Sequence, residues 1–291
     1  VLNKLSVVYN NRSITLNDIT TVAILGDNGV GKTSLLERIA LVSERNVPEI
    51  LNVKGSFSYE KFVVSIDDEE VECERVDGSR IRVSQYVEPN GILVPIPFEI
   101  HHRYCKGITN YKVVIVYPYS FRTPTHEPHY NTFVKPNEES VKFNDMVKEL
   151  VGELVNGIII PTAGDFVYED NDNVKYLDSL GRGISNTVKL AWIMYKYKPD
   201  ILLIDDIETL GLNPKRLQTF FKWVLQYIQS DKLKAMLFTT NSDAYIDLAE
   251  VDEKSKFLIL QRNDHLILDR EEVLDRLDYE DLRYTALKNF T

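Results

Sequence analysis

Apolar and polar positions change period several times along the chain, and each change marks an element. Leu5 to Tyr9 and Val22 to Leu25 are short runs of β-type residues parted by the turn-forming cluster Asn10-Asn11-Arg12, and they predict strands. From Lys32 to Val42 the residues Leu35, Leu36, Ile39 and Ala40 recur at helical spacing. Between strand and helix lies a glycine-rich loop.

From Gly55 to about Ile100, β-branched residues alternate with charged ones, as in Phe62-Val63-Val64-Ser65-Ile66 and Arg80-Ile81-Arg82-Val83, with prolines at 89, 95 and 97. This pattern predicts an antiparallel sheet. Val113 to Tyr117 reads as a buried strand and Ser140 to Val155 as an amphipathic helix. The remainder alternates: helix Ile184 to Tyr197, strand Ile201 to Ile204, helix Pro214 to Ile228, strand Ala235 to Thr239, a β pair (Phe257 to Leu260, Leu266 to Leu268), then helices. Such alternation builds a mainly parallel sheet flanked by helices, the α/β class. The expected organisation is a split domain, residues 1–44 and 161–291, with an antiparallel β-rich and helical lobe, 45–160, inserted between its halves. No internal repeat or sustained heptad pattern interrupts this reading.

Composition narrows the classes. With 291 residues and 44% hydrophobic content, the chain is long enough for one large core or two modest lobes. No stretch approaches the roughly 20 consecutive apolar residues of a membrane-spanning helix. The start lacks a basic segment followed by an apolar one, and Cys73 and Cys105 are too few for a secreted disulfide framework, so a cytoplasmic location is expected. A formal charge of -10 gives no support to nucleic-acid binding by phosphate neutralisation alone. Lys189, Lys196 and Lys198 read as the solvated face of a helix.

The loop between the first helix and the strand before it is Gly26-Asp27-Asn28-Gly29-Val30-Gly31-Lys32-Thr33, followed by Ser34. Glycines at this spacing let successive N–H groups converge on phosphate oxygens, the helix N-terminus adds partial positive charge, and Lys32 reaches the terminal phosphates. Thr33 is the expected hydroxyl ligand of magnesium. Downstream, the apolar run Ile201 to Ile204 ends in Asp205-Asp206, which places two carboxylates at the carboxyl edge of the sheet. Asp205 is the expected second magnesium ligand, and Asp206, with Glu208 in reserve, the carboxylate that orients the attacking water. ATP and magnesium are the cofactors this pattern calls for.

A second glycine turn, Leu180-Gly181-Arg182-Gly183-Ile184-Ser185, opens another helix and offers a second anion site. One γ-phosphate cannot serve both loops of a single chain, so Gly181, Arg182, Gly183 and Ser185 suit a nucleotide held by a second copy. Two other constellations lead nowhere. His101, His102, Cys105, His126 and His129 follow no metal-ligand spacing, and Asp178-Ser179-Leu180-Gly181 lacks the guanine-recognition motif that would make it a GTPase element.

The order of phosphate loop, glycine signature, carboxylate strand and Phe238-Thr239-Thr240-Asn241-Ser242 resembles an ABC-type P-loop ATPase. More narrowly, it resembles the ATPase module of the overcoming-lysogenization-defect family and its stand-alone AAA-labelled relatives associated with toxins and defence. Their signature is similar to Leu180-Gly181-Arg182-Gly183, their Asp-Glu-x-Glu-x-Gly-Leu-His-Pro segment to Asp205 through Pro214, and their closing motif to Asp281-Leu282-Arg283. The resemblance covers residues 1–42 and 113–291. It implies Asn241 at the place of a switch histidine, Asp206 at that of a glutamate, and Asn213 at that of a histidine before Pro214. A carboxylate shorter by one methylene and an amide that cannot shuttle protons imply slow hydrolysis. The family's Q-loop glutamine has no clear counterpart: Gln85 falls in the unmatched β-rich region, and Ser120 and Arg122 follow the strand that would lead to it. The expected function is an ATP-dependent dimerisation switch serving a partner protein, such as a separate nuclease or toxin, or a nucleic-acid transaction, the alternative being a non-hydrolysing ATP sensor.

Overall fold

A computed structural model of the chain describes residues 1–43, 61–74, 85–87, 93–95, 105–118, 138–151, 158–161, 166–170, 173–262 and 264–277. The strands in its first half are β1 (Leu2–Tyr9), β2 (Arg12–Ile19), β3 (Thr21–Leu25), β4 (Lys61–Ile66), β5 (Glu69–Glu74), β6 (Gln85–Val87), β7 (Leu93–Pro95), β8 (Cys105–Lys106) and β9 (Val113–Val116). The later strands are β10 (Ile158–Pro161), β11 (Phe166–Asp170), β12 (Asn173–Tyr176), β13 (Ile201–Ile204), β14 (Ala235–Thr239), β15 (Lys256–Leu260) and β16 (His265–Asp269). The helices are α1 (Lys32–Leu41), α2 (Glu138–Val151), α3 (Arg182–Tyr197), α4 (Pro214–Gln229), α5 (Ala244–Val251) and α6 (Arg270–Leu277).

The central sheet runs β16-β15-β3-β14-β13-β9 and is parallel except for β16. Every residue of β3, β9, β13 and β14 is buried, as a sheet covered on both faces requires. Helix α1 packs against β9, β13 and β14. A second, antiparallel sheet has the order β2-β1-β4-β5-β8, a three-stranded sheet the order β10-β11-β12, and β6 pairs with β7.

These sheets cut across the expected boundaries. Strands β1 and β2, placed by the sequence in the split domain, pair into the antiparallel sheet, with Leu5 opposite Ile66 and Leu16. Conversely, β9, assigned to the lobe at 45–160, lies beside β13 in the central sheet. Its run of four buried apolar residues suits a strand covered on both faces rather than the half-exposed alternation of β4. The two sheets are fastened by the β4–β5 turn. Asp67 accepts from the N–H groups of Asn3 and Lys4 at 3.0 and 2.9 Å and from the Tyr111 hydroxyl at 2.6 Å. Glu69 accepts from Thr109 Oγ1 at 2.6 Å and the Asn110 N–H at 2.7 Å, and the Thr109 N–H in turn bonds the Val42 carbonyl just past α1.

Other sequence expectations meet the structure unevenly. Strand β2 carries Ile14, Leu16 and Ile19 inward and was not anticipated. Lys189 is only 4% exposed, so the solvated lysine face of α3 reduces to its end, Lys196 and Lys198. Cys73 and Cys105 form one cross-strand disulfide between β5 and β8. Residues 80–83, the histidines at 101, 102, 126 and 129, and the motif at 281–283 lie outside the described residues. Among the described residues no cluster of His, Cys, Asp and Glu could hold a metal, and no helix is long and apolar enough to cross a membrane.

One buried acid lies at the centre of this packing. Glu37 of α1 is 3% exposed and accepts from the Tyr117 hydroxyl, just beyond β9, at 3.1 Å. Burial pushes its carboxyl up from 4.5 to about 7, with Asp205 adding to the rise and Tyr117 and Arg38 opposing it. An acid whose pKa rises on folding favours the native state while protonated, so its stabilisation is complete below pH 4.5 and is lost as pH rises through about 7. Glu37→Gln, which cannot ionise, is therefore expected to be more stable than wild type at pH 8 by about 2–3 kcal/mol, with the gap closing toward pH 4.5. Urea denaturation across this range measures it; a gap independent of pH would contradict the buried acid.

Candidate functional site

Strand order assembles the site. Because β14 lies between β3 and β13, the carboxyl ends of three parallel strands stand side by side, and each delivers one part of the motif set. The loop from Gly26 to Gly31 leaves β3. At Gly26, with φ of 141°, a Cβ would stand 2.3 Å from the Leu260 carbonyl oxygen, so the loop passes the end of β15 where a side chain would not fit. Gly31 then caps α1, and the first intrahelical bond runs from the Leu35 N–H to the Gly31 carbonyl. The N–H groups of Lys32, Thr33 and Ser34 thus belong to the helix's open first turn. Asp27, Asn28 and Gly29 are exposed at the loop's crest.

Lys32 is 6% exposed. Its ammonium donates to the carbonyls of Gly26 at 2.6 Å and Asp27 at 3.2 Å and to Asn241 Oδ1 at 2.8 Å. Burial lowers its pKa, and the carboxylates of Asp206, Glu208, Asp205 and Asp27 oppose that shift. At the end of β13, Asp205 is 1% exposed and accepts from Thr33 Oγ1 at 2.9 and 3.1 Å and from Thr239 Oγ1 at 2.7 Å. A hydroxyl and a carboxylate this close form the hard-oxygen pair that magnesium takes, so the donor set fits that ion.

Asp206 holds a left-handed backbone, φ 52° and ψ 67°, and its N–H donates to Thr239 Oγ1 at 2.7 Å. This turn re-aims the chain from β13 into the short 3₁₀ helix Ile207–Leu210. Glu208, on that helix, accepts from the Asn241 N–H at 2.9 Å through Oε1, while Oε2 is enclosed with no hydrogen-bond partner among the described residues. Asn241 therefore touches Lys32 with its side chain and Glu208 with its backbone. Thr239 was not singled out from the sequence, although it bridges Asp205 and Asp206. Its only signal there was its place two residues before Asn241, at the end of a buried strand.

The glycine signature stands apart from this cluster. Gly181 caps α3, and Gly181 and Arg182 are exposed. Ser185, expected to face phosphate, is 0% exposed and lies on the inward side of the helix. A Cβ on Gly183 would stand 2.6 Å from the Gly211 carbonyl oxygen of the same chain. Asn186 Nδ2 continues that contact, donating to the Thr209 and Leu210 carbonyls at 3.2 and 3.4 Å. Asn213, at the place of a family histidine, caps α4 by accepting from the Arg216 N–H at 3.0 Å, a structural task with Pro214 at the first helical position. Gln85 lies in β6, which pairs with β7 in a two-stranded sheet separate from the central one, and Ser120 and Arg122 fall outside the described residues.

On the outer side of the glycine loop, a polar cavity of about 450 Å³ is lined by Asn11, Arg12, Gly31, Ser34, Arg38 and Arg262, among others. The Tyr9 ring behind it is covered by the Arg38 guanidinium, 4.0 Å from the ring centroid. Tyr9 itself also lines the cavity.

No protein-family model matches the sequence, and no curated protein matches it. Solved structures do match in fold. The ADP conformation of MJ1267, an ATP-binding cassette of an ABC transporter, is similar at a TM-score of 0.50 and 13% identity, over 96% of this chain and 96% of that one. The SMC head domain from Thermotoga maritima is similar at a TM-score of 0.48 and 16% identity, over 92% of this chain and 98% of that one. The chain has the α/β fold of ABC-type ATPase domains, with a mixed central sheet and an antiparallel β-rich sheet beside it.

Proposed function

We propose that this chain is a slow, magnesium-dependent ATPase whose nucleotide closes two copies head to tail. The observation that carries the reading is the convergence of Lys32, Thr33, Asp205 and Asn241 at the carboxyl edge of β3, β14 and β13. The open first turn of α1 and Lys32 receive the phosphates, and the cavity beside Ser34 has room for the nucleoside. Among the described residues Lys32 bonds only neutral oxygens. A phosphate oxyanion is a stronger acceptor and would draw the ammonium away from Asn241. Thr33 and Asp205 would hold magnesium, which neutralises phosphate charge when bound.

Asp206 is the first candidate to orient the attacking water and Glu208 the second. Asn241, which cannot return a proton, keeps the reaction slow. Gly181 to Gly183 of one copy face the γ-phosphate held by the other, because both loops end at helix N-termini and a symmetric pair can set both against one nucleotide. The motion transmits to a partner protein, a separate nuclease or toxin in the nearest resemblance, in the cytoplasm.

Two experiments test this. Asp206→Asn should lower phosphate release by roughly 100-fold while leaving ATP affinity nearly unchanged, because a water-positioning carboxylate acts mainly in the transition state. Full turnover in Asp206→Asn together with loss in Glu208→Gln would move the role to Glu208, and no turnover by wild type would leave a nucleotide sensor. In sedimentation velocity, the Asp206→Asn protein should pair with ATP and magnesium, pair less with ADP, and stay monomeric without nucleotide. An identical profile in all three conditions removes the switch. Gly183 is a poor site for breaking the pair, since a side chain there meets Gly211 of its own chain first.

A further inference from the structure

ATP adds negative charge to a crevice where the carboxylates of Asp27, Asp205, Asp206 and Glu208 already surround Lys32. Charge on the γ-phosphoryl oxygens must be stabilised further during its transfer, and Asn241 brings no charge to that task. In the signature turn the candidates for outside help reduce to one side chain. Gly181 and Gly183 have none, Ile184 is apolar, and Ser185 is 0% exposed. Arg182 is exposed, and among the described residues it makes no hydrogen bond or ion pair. Its stem crosses Gly211, with Cγ 3.8 Å from where a Cβ on that glycine would stand.

The turn is also rigidly based. Gly183 is packed on the Gly211 carbonyl, and Asn186 bonds the Thr209 and Leu210 carbonyls, so the guanidinium springs from a fixed platform. That platform belongs to the segment carrying Glu208, and the hydrogen bonds around Lys32 do not include Arg182. Arg182 is thus absent from its own chain's phosphate cluster and presented outward.

We propose that Arg182 is a catalytic residue acting across the pair: the guanidinium of one copy contacts the γ-phosphate bound by Lys32 of the other and stabilises the charge developed during cleavage. The inference rests on the head-to-tail reading above. The water oxygen bonds to the γ-phosphorus as the bond to the β–γ bridging oxygen breaks with its electron pair left on ADP, the water's proton passes to solvent through the carboxylate that orients it, and ADP and inorganic phosphate leave. Arg182 takes no part in the proton transfer and serves only as a hydrogen-bond donor. Its fork of donors suits two phosphoryl oxygens at once, which a lysine would not match.

The test mixes two variants. Arg182→Ala alone should hydrolyse ATP at least ~100-fold more slowly than wild type, as should Asp206→Asn, or Glu208→Gln if that carboxylate proves the active one. In the mixed pair, one site combines an intact carboxylate strand with the other copy's intact Arg182. Equimolar mixing should therefore restore on the order of a quarter of wild-type turnover, since half the pairs are mixed and each has one working site of two. A second readout does not depend on turnover: adding Arg182→Ala to the Asp206→Asn protein should weaken its ATP-dependent pairing in sedimentation at least ~10-fold, with calorimetric ATP affinity of the monomer unchanged. A mixture that gains nothing, or an Arg182→Ala protein matching wild type in both pairing and turnover, overturns the inference while leaving ATP-driven pairing in place. Absence of pairing by wild type overturns both.

Discussion

A buried ammonium must be solvated by the protein, and the way Lys32 is solvated shapes the site. Its three acceptors come from the loop after β3 and from the segment after β14, so one side chain holds two adjacent strand ends together. Asp205, equally buried, does the same for β13 by accepting from Thr33 and Thr239. A cation and a carboxylate, each satisfied by short neutral contacts, therefore fix three strand ends relative to one another. The same arrangement leaves Lys32 exchangeable, because among the described residues its hydrogen bonds go to neutral oxygens.

This coupling extends outward through α1. Its first turn carries Lys32 and Thr33, its middle carries Glu37 against Tyr117, and its end bonds Thr109 through the Val42 carbonyl. Thr109 is in turn bonded by Glu69, on the antiparallel sheet. The phosphate loop and the antiparallel sheet thus share one helix and one connecting segment as their mechanical link.

Much of this was legible in the sequence where the signal is local. The glycine loop between a strand and a helix, the apolar run ending in Asp205-Asp206, and the amphipathic helices are written in windows of a few residues. What was not legible depends on distant partners. Pairing of β1 with β4 joins the two ends of an apparent boundary, and no periodicity within either strand announces it. Lys189 lies in the stretch of its helix from Ser185 to Met194 that is buried all round, so a lysine there was misread as outward-facing from its chemistry. Gly183 has a task within its own chain that the local motif did not show: its missing side chain makes room for Gly211. Asn213, at the place of a family histidine, serves as a helix cap, which only its contact with the Arg216 N–H reveals.

The central claim is that Lys32 exchanges its neutral oxygens for the terminal phosphates of magnesium-bound ATP. Isothermal titration calorimetry of wild type and Lys32→Ala with ATP and magnesium tests it most directly. The account predicts saturable binding at one site per chain by wild type, weakened on the order of 100-fold in the variant, with the variant's fold intact by circular dichroism. Equal affinity in a folded Lys32→Ala protein would contradict it, because the ammonium enclosed between Gly26 and Asn241 would then have no part in holding nucleotide.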